Sequence, residues 1–150
     1  MACVPVPIIA VVNGHCITGG FELALACDIL VGSTKASFCD THVKFGLAPC
    51  WGLSQKLPRL IGPSRAALLS YSAGKLDAGT AKDWGLLAHV FPPEQLMEEA
   101  LKIAGAIATN DARMVRKYKK VLAAGFRRLW ALSAMVEEVS GFVVVDFRVS

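Results

Sequence analysis

The feature that most constrains the fold is the continuous stretch from Ile8 to Ile29. It begins with Ile8–Val12, a short apolar run rich in β-branched residues, which predicts a buried strand. Asn13-Gly14 has turn chemistry, and Phe21–Cys27 is rich in Ala and Leu, which favour a helix. Ile29–Val31 is strand-like again. The pattern therefore predicts a strand, a glycine-rich turn, the start of a helix and a second strand.

Glu22 lies in the first turn of the predicted helix, just after Gly19 and Gly20. A helix N-terminus offers unpaired backbone N–H groups and a partial positive charge, and glycine lets a ligand approach the backbone closely. This combination suits a developing oxyanion with a carboxylate beside it. The alternative is structural, because an acid in the first turn also complements the helix dipole. The residues alone leave both interpretations open.

Length and composition indicate one ordinary domain with a sizeable core. The chain has 150 residues, of which 54% are hydrophobic and 19% charged, and this excludes a disordered chain. No apolar run reaches the roughly 18 residues of a membrane span, and the start, MACVPVPII, is not a signal peptide. The five cysteines include no C-x-x-C pair, so we expect neither a disulfide framework nor a zinc site, and a reducing compartment fits.

The formal net charge of +4 is concentrated near the C-terminus, where residues 101–150 hold nine Lys or Arg against four Asp or Glu. Asn110-Asp111 predicts the N-cap of a helix over residues 112–132. At about 100° per residue its basic residues form one stripe: Arg113, Arg116, Lys117, Lys120, Arg127 and Arg128. The opposite stripe is apolar: Met114, Val115, Tyr118, Val121, Leu122, Phe126 and Leu129. A solvated face over a packed one is the first interpretation, and contact with an anionic ligand is the alternative.

Nucleic-acid binding would rest on this basic stripe alone. The stripe lacks the interleaved aromatic residues that base stacking needs, and no recognised nucleic-acid motif is present. We therefore expect no nucleic-acid partner.

Shorter elements are predicted between these two regions. Ser37–Asp40 predicts a short strand or the edge of a loop, and Leu53–Leu60 predicts a helix interrupted near Pro58. Leu86–Phe91 predicts another strand, and Glu94 begins a predicted helix after two prolines.

The first stretch, PIIAVVNGHCITGGFELALACDILV, resembles the signature of the crotonase superfamily, the enoyl-CoA hydratase/isomerase family. So do the later segments FCDTHVKFGLAPCWGLSQKLPRLIG and YSAGKLDAGTAKDWGLLAHVF, and the plant peroxisomal type is the most similar subgroup. The resemblance implies an α/β fold, a partial crotonase-like ββα spiral with C-terminal helices. It covers a partial domain over residues 1–126, followed by a divergent tail over residues 127–150.

The resemblance also implies a chemistry, the addition of water to a 2-trans-enoyl-CoA in fatty-acid β-oxidation. The family holds the thioester enolate with two backbone N–H groups, one of which corresponds to Gly19. Its first catalytic glutamate corresponds to Glu22, but the position of its second is His42. A histidine is a competent acid or base near neutral pH, so His42 is a candidate for an assisting role. The implied substrate-binding residues are Thr18, Gly20, Thr41 and Gly46.

Cofactors, partners and location follow from the same resemblance. It implies no cofactor, because coenzyme A is part of the acyl-CoA substrate, and no metal; the histidines at positions 15, 42 and 89 also lack ligand spacing. It implies a homo-oligomer, a trimer or hexamer, without a membrane partner. Peroxisomes are expected, although Arg148-Val149-Ser150 is not the S-K-L address; the cytosol is the other expectation.

The family's other oxyanion donor lies before the strand that corresponds to Ile8–Val12. We therefore expect this chain to be an internal part of a crotonase, without the usual N-terminal portion and C-terminus. Two hypotheses follow from this. The chain is either an enoyl-CoA hydratase-like lyase, or a catalytically impaired fragment that acts as a CoA-binding or oligomer-assembly module.

Overall fold

The structure is a computed structural model in which residues 4–124 are described. The strands are β1 (Ile9–Val12), β2 (His15–Ile17), β3 (Ile29–Ser33), β4 (Ser37–Cys39), β5 (Lys75–Asp77) and β6 (His89–Phe91). The helices are α1 (Gly19–Leu25), α2 (Leu53–Ile61), α3 (Pro63–Ser72), α4 (Ala78–Asp83) and α5 (Leu96–Ala108), with a 3-10 helix over His42–Phe45. Residues 112–124 are also helical. Within the described part of the chain, every helix is too short or too polar to cross a membrane.

The chain repeats a ββα unit. β1, β2 and α1 form the first unit, and β3, β4 and α2 form the second, with the 3-10 helix inserted before α2. The first strands of the units join β6 in a parallel sheet of order β1-β3-β6, in which Ile9 lies opposite Ile29. The second strands join β5 in a sheet of order β2-β4-β5, in which His15 lies opposite Ser37. The predicted α/β fold with ββα repetition is confirmed.

The main core connects α1, β4 and α2. Phe21 of α1 and Phe38 of β4 are both 0% exposed, and their ring centroids lie 5.3 Å apart. Leu53 and Leu57 of α2 are buried in the same cluster. Because hydrophobic burial is the dominant favourable term in folding, this cluster fixes α1 relative to β4. Glu22 follows Phe21 directly, so the same packing positions its carboxylate.

Pro58 does not interrupt its helix. α2 runs without a break from Leu53 to Ile61, and the predicted interruption is wrong. A proline inside a helix removes one hydrogen bond and introduces a local clash. Leu57 and Ile61 on either side of Pro58 are 0% and 3% exposed, and their burial holds the helix together across it.

The strand predicted over Leu86–Phe91 is shorter than expected. Only His89–Phe91 is a strand. The N–H groups of Leu86 and Leu87 both donate to the carbonyl of Ala81 in α4, at 2.8 and 3.2 Å, so these two residues fold back against the end of that helix and are not part of a strand. Leu86 and Leu87 are nevertheless buried, which explains why their sequence pattern resembles a strand.

The helical segment 112–124 begins as predicted, since Oδ1 of Asp111 accepts the N–H of Met114 at 2.8 Å. The prediction that its apolar stripe is packed against the protein is wrong for these described residues, because Tyr118 and Leu122 are 71% and 64% exposed. The segment is instead attached through Lys119, whose Nζ donates to Oδ2 of Asp28 at 2.7 Å. The predicted tail over 127–150 lies outside the described residues, as do Arg127 and Arg128 of the basic stripe.

Gly32 in β3 has no room for a side chain. A Cβ added there would lie 2.8 Å from Cδ1 of Leu87 and 3.2 Å from Cβ of Ala36. We expect Gly32→Ala to lower the free energy of unfolding by about 1–3 kcal/mol, because a methyl group would overpack this core. Gly14→Ala is the matched control, since a Cβ at Gly14 would meet nothing within 4 Å. Urea denaturation of both variants measures the difference, and equal midpoints would contradict the prediction.

Candidate active site

Glu22 is a buried carboxylate, with 2% of the residue exposed. Its Oε1 accepts the backbone N–H groups of Trp51 at 2.8 Å and Leu53 at 3.3 Å. Leu53 is the first residue of α2, where a helix has N–H groups without an intrahelical acceptor. These donors hold Oε1 in place. The second oxygen, Oε2, accepts neither of these N–H groups.

His42 faces that second oxygen. It is the first residue of the 3-10 helix and is 6% exposed. Its Nε2 lies 3.7 Å from Oε2 of Glu22, which is longer than a direct hydrogen bond. Its Nδ1 lies 2.6 Å from Oδ1 of Asp40, and its backbone N–H donates to the same oxygen at 3.2 Å. Three ionisable side chains from two ββα units therefore meet in one buried row, Asp40, His42 and Glu22.

Thr18 connects this row to the start of α1. Its φ of 49° is uncommon for a β-branched residue, so its conformation requires support from neighbouring groups. The N–H of Thr18 donates to the carbonyl of Cys39 at 2.9 Å. Its Oγ1 accepts the N–H of Thr41 at 3.2 Å, and the two threonine hydroxyls are also hydrogen-bonded to each other. These bonds direct the chain into the first turn of α1.

The predicted glycines occupy three different environments. Gly19 and Gly20 lie in the first turn of α1, and the Trp51 ring is 3.5 Å from where a Cβ of Gly19 would be. Gly20 faces open space and lines a cavity of about 400 Å³ beside β1, β2 and α1. Gly46 ends the 3-10 helix with a φ of 63° and is exposed. The structure thus brings Thr18, Thr41, Glu22 and His42 together, while Gly46 lies outside this cluster.

Two contributions to the site were not predicted from the sequence. The first is Asp40, although it stands two residues before His42 in the DTH segment that was singled out. The available signal was a carboxylate at the end of a predicted strand and two residues before a candidate histidine. The second is the pair of backbone donors from Trp51 and Leu53. Because backbone N–H groups are common to all residues except proline, no sequence pattern marks them.

Two neighbouring groups have shifted pKa values with structural causes. Burial raises the pKa of the Cys16 thiol in β2 to about 11, so this thiol stays protonated at neutral pH. Burial lowers the pKa of Lys56, whose Nζ donates to the carbonyl of Leu25 at 2.7 Å. This bond places a cation at the C-terminus of α1, where the helix dipole favours it. Among residues 4–124 no group of three or more His, Cys, Asp or Glu side chains could hold a metal ion.

Comparison with known proteins places these residues in a family context. The enoyl-CoA hydratase/isomerase family model matches residues 1–139. "Probable enoyl-CoA hydratase 1, peroxisomal" from Arabidopsis thaliana is 47% identical over 121 residues, covering 81% of this chain and 46% of the relative. "Crotonyl-CoA hydratase" from Syntrophomonas wolfei is 42% identical over 113 residues, covering 75% of this chain and 44% of the relative. The chain thus spans about half the length of these relatives.

A solved structure shows the same architecture. The enoyl-CoA hydratase from Mycobacterium tuberculosis H37Rv superposes with a TM-score of 0.84 at 36% sequence identity, covering 90% of this chain and 59% of that one. This similarity confirms the predicted crotonase-like fold over most of the chain. The Asp40, His42 and Glu22 row accordingly lies within a known scaffold.

Proposed function

This chain belongs to the enoyl-CoA hydratase/isomerase family, and we propose that it adds water to a 2-trans-enoyl-CoA thioester. One observation carries the proposal. Oε2 of Glu22 and Nε2 of His42 face each other at 3.7 Å in a buried site beside the first turn of α1. One water beside this gap can reach both atoms, and water is the second substrate of a hydration.

The proposed reaction uses the two side chains as one proton-transfer pair. Water held between Glu22 and His42 attacks C3 of the enoyl group, and one water proton passes to the pair. The electrons of the C2=C3 double bond move onto the thioester oxygen. The resulting enolate then takes a proton from the pair at C2, so that H and OH have been added and the pair is restored.

The N–H of Gly19 is the proposed donor to the thioester oxygen in this step. It lies in the first turn of α1, and the Thr18 contacts direct the backbone there. Donors aimed at a developing oxyanion are worth roughly 10²–10³ in kcat each. We assign the substrate contacts of the acyl-CoA to Thr18, Gly20, Thr41 and Gly46 by family resemblance.

The direct test is hydration of crotonyl-CoA by the purified 150-residue chain. Loss of the enoyl absorbance, with a product heavier by one water, is the expected result. Crotonyl-CoA without protein is the control for non-enzymatic hydration, and butyryl-CoA, which lacks the double bond, is the control for other changes to the thioester. A folded chain that neither hydrates crotonyl-CoA nor binds it would contradict the proposal. A folded chain that binds crotonyl-CoA without turnover would instead support the CoA-binding module.

We further propose that the protein is a homo-oligomer, a trimer or hexamer, acting in peroxisomal β-oxidation. The Arabidopsis relative is described as peroxisomal. The 3-10 helix and α3 are in contact, and Phe45, Leu68 and Tyr71 on these elements are 71%, 64% and 80% exposed. Exposed apolar groups of this kind are typical of interaction surfaces.

Tyr71→Glu is expected to lower the molecular mass measured by light scattering, because a charge at an apolar contact disfavours association. Tyr118→Glu is the control, since Tyr118 is also 71% exposed but lies on the helical segment 112–124. The same reduction in both variants would argue against a specific role for the α3 surface.

A further inference from the structure

We propose that Asp40 is a positioning residue whose carboxylate holds His42 with its ring proton on Nδ1, so that Nε2 presents a lone pair toward Glu22. Its catalytic consequence rests on the hydratase function proposed above. The tautomer of His42 is a property of the chain by itself, so it is open to measurement whether or not the chain turns over substrate.

The hydrogen-bond pattern around Asp40 assigns the proton. Oδ1 of Asp40 accepts the backbone N–H of His42 at 3.2 Å, which identifies this oxygen as an acceptor. The ring Nδ1 lies 2.6 Å from the same oxygen, so Nδ1 is the donor in that contact. A neutral imidazole carries a single ring proton, and with that proton on Nδ1 the other nitrogen is an acceptor.

Burial and backbone anchoring keep the ring in this orientation. Asp40 and His42 are 2% and 6% exposed, so solvent competes little for their hydrogen bond. Thr41 between them is bound to Thr18 through both its N–H and its hydroxyl. Asp40 directly follows β4, whose strand pairing fixes it from the other side. The ring is therefore held on one edge by a carboxylate that the fold has already placed.

Glu22 and His42 have matching arrangements. Glu22 has Oε1 fixed by backbone donors and Oε2 directed at His42, while His42 has Nδ1 fixed by Asp40 and Nε2 directed at Glu22. Each side chain thus has one atom held by the protein and one atom available at the gap between them. If the proton moved to Nε2, His42 would donate toward Glu22 and could not accept a proton from water. The hydrogen bond from Nδ1 to Asp40 keeps the proton away from Nε2.

The first measurement is the ¹⁵N resonance of the histidine ring nitrogens in the full 150-residue chain, with His42 assigned by His42→Gln. We expect Nε2 of His42 in the unprotonated range and Nδ1 in the protonated range. Asp40→Ala should shift the Nε2 resonance toward the protonated range, because the carboxylate that holds the proton on Nδ1 is lost. A wild-type Nε2 that is already protonated would overturn the inference, even if the Asp40→Ala variant fails to fold.

Ser37→Ala is the matched control. His15 in β2 has the same kind of contact, with Nδ1 2.8 Å from Oγ of Ser37. Removing that hydroxyl should change the resonances of His15 and leave those of His42 in place. Loss of the His42 signature in Ser37→Ala would show a general disturbance of the sheet rather than an effect of Asp40.

Kinetics distinguish positioning from a purely structural role. Asp40→Ala should lower kcat for crotonyl-CoA on the order of a hundredfold with little change in KM, because general acid–base catalysis contributes at least that much. Asp40→Asn should retain part of kcat and the wild-type tautomer, since the His42 N–H selects the amide oxygen as its acceptor. A tautomer change without loss of kcat would overturn the positioning role. An inactive wild-type chain with the expected tautomer would contradict the hydratase proposal and leave the assignment of the proton supported.

Discussion

Glu22→Gln is expected to lower kcat for hydration of crotonyl-CoA by about a hundredfold or more. The glutamine amide oxygen can still accept the N–H groups of Trp51 and Leu53, as Oε1 does now, so the variant should keep its fold. Its NH₂ group takes the place of Oε2, however, and cannot accept a proton from water. The loss should appear in kcat and kcat/KM together, as for an interaction made only in the transition state.

Glu94→Gln is the matched control for this experiment, because Glu94 is exposed and lies outside the buried row. Its kcat should equal that of the unmodified chain. Steady-state assays at saturating crotonyl-CoA, with circular dichroism of each variant, complete the comparison. Full turnover by Glu22→Gln would exclude the carboxylate from the proton transfer.

Phe38→Ala is expected to have the largest effect on stability. Phe38 is 0% exposed, contacts Phe21 at 5.3 Å between ring centroids, and sits between Cys16 and Leu76 in its sheet. Replacing a buried phenylalanine by alanine costs about 3–5 kcal/mol, through lost hydrophobic transfer and the cavity left behind. Since the free energy of unfolding of a domain is only about 5–15 kcal/mol, a large part of the stability would be lost.

Tyr118→Ala is the comparison for Phe38→Ala, because Tyr118 is 71% exposed and lies outside the proposed contact surface. We expect it to change the free energy of unfolding by less than about 0.5 kcal/mol. Urea denaturation followed by circular dichroism measures both variants. Similar midpoints for the two would contradict the assignment of Phe38 to the centre of the core.

Local sequence patterns predicted the longer and more regular elements. The apolar run at Ile8–Val12 became β1, and the Ala- and Leu-rich run after Gly20 became most of α1. β2 and β5 were missed, because each has only three residues and directly follows a glycine that indicates a turn, Gly14 before β2 and Gly74 before β5. They form because the neighbouring β4 supplies hydrogen-bond partners on both of its edges.

The exposed apolar face of residues 112–124 illustrates a second limit of periodicity. The spacing places the apolar residues on one stripe, but it contains no information on whether another element covers that stripe. In the described part of the chain the attachment is instead an ion pair between Lys119 and Asp28, 91 residues apart in sequence. Contacts between residues so far apart depend on the fold and not on local spacing.

Local sequence accounts for the order strand, turn, helix and strand over residues 8–31, and for the position of Gly19 and Glu22 in the first turn of one helix, because these depend on neighbouring residues. The ββα repeat was implied by the family resemblance. The surroundings of the Glu22 carboxylate depend on the tertiary structure. It brought His42, which is 20 residues later in the chain, to 3.7 Å from Oε2, set Asp40 behind the imidazole, and fixed Oε1 with two backbone N–H groups. Those contacts form only when the packing of Phe21, Phe38 and α2 joins the two ββα units. Proton transfer depends on distances of this order, and only the folded chain sets them.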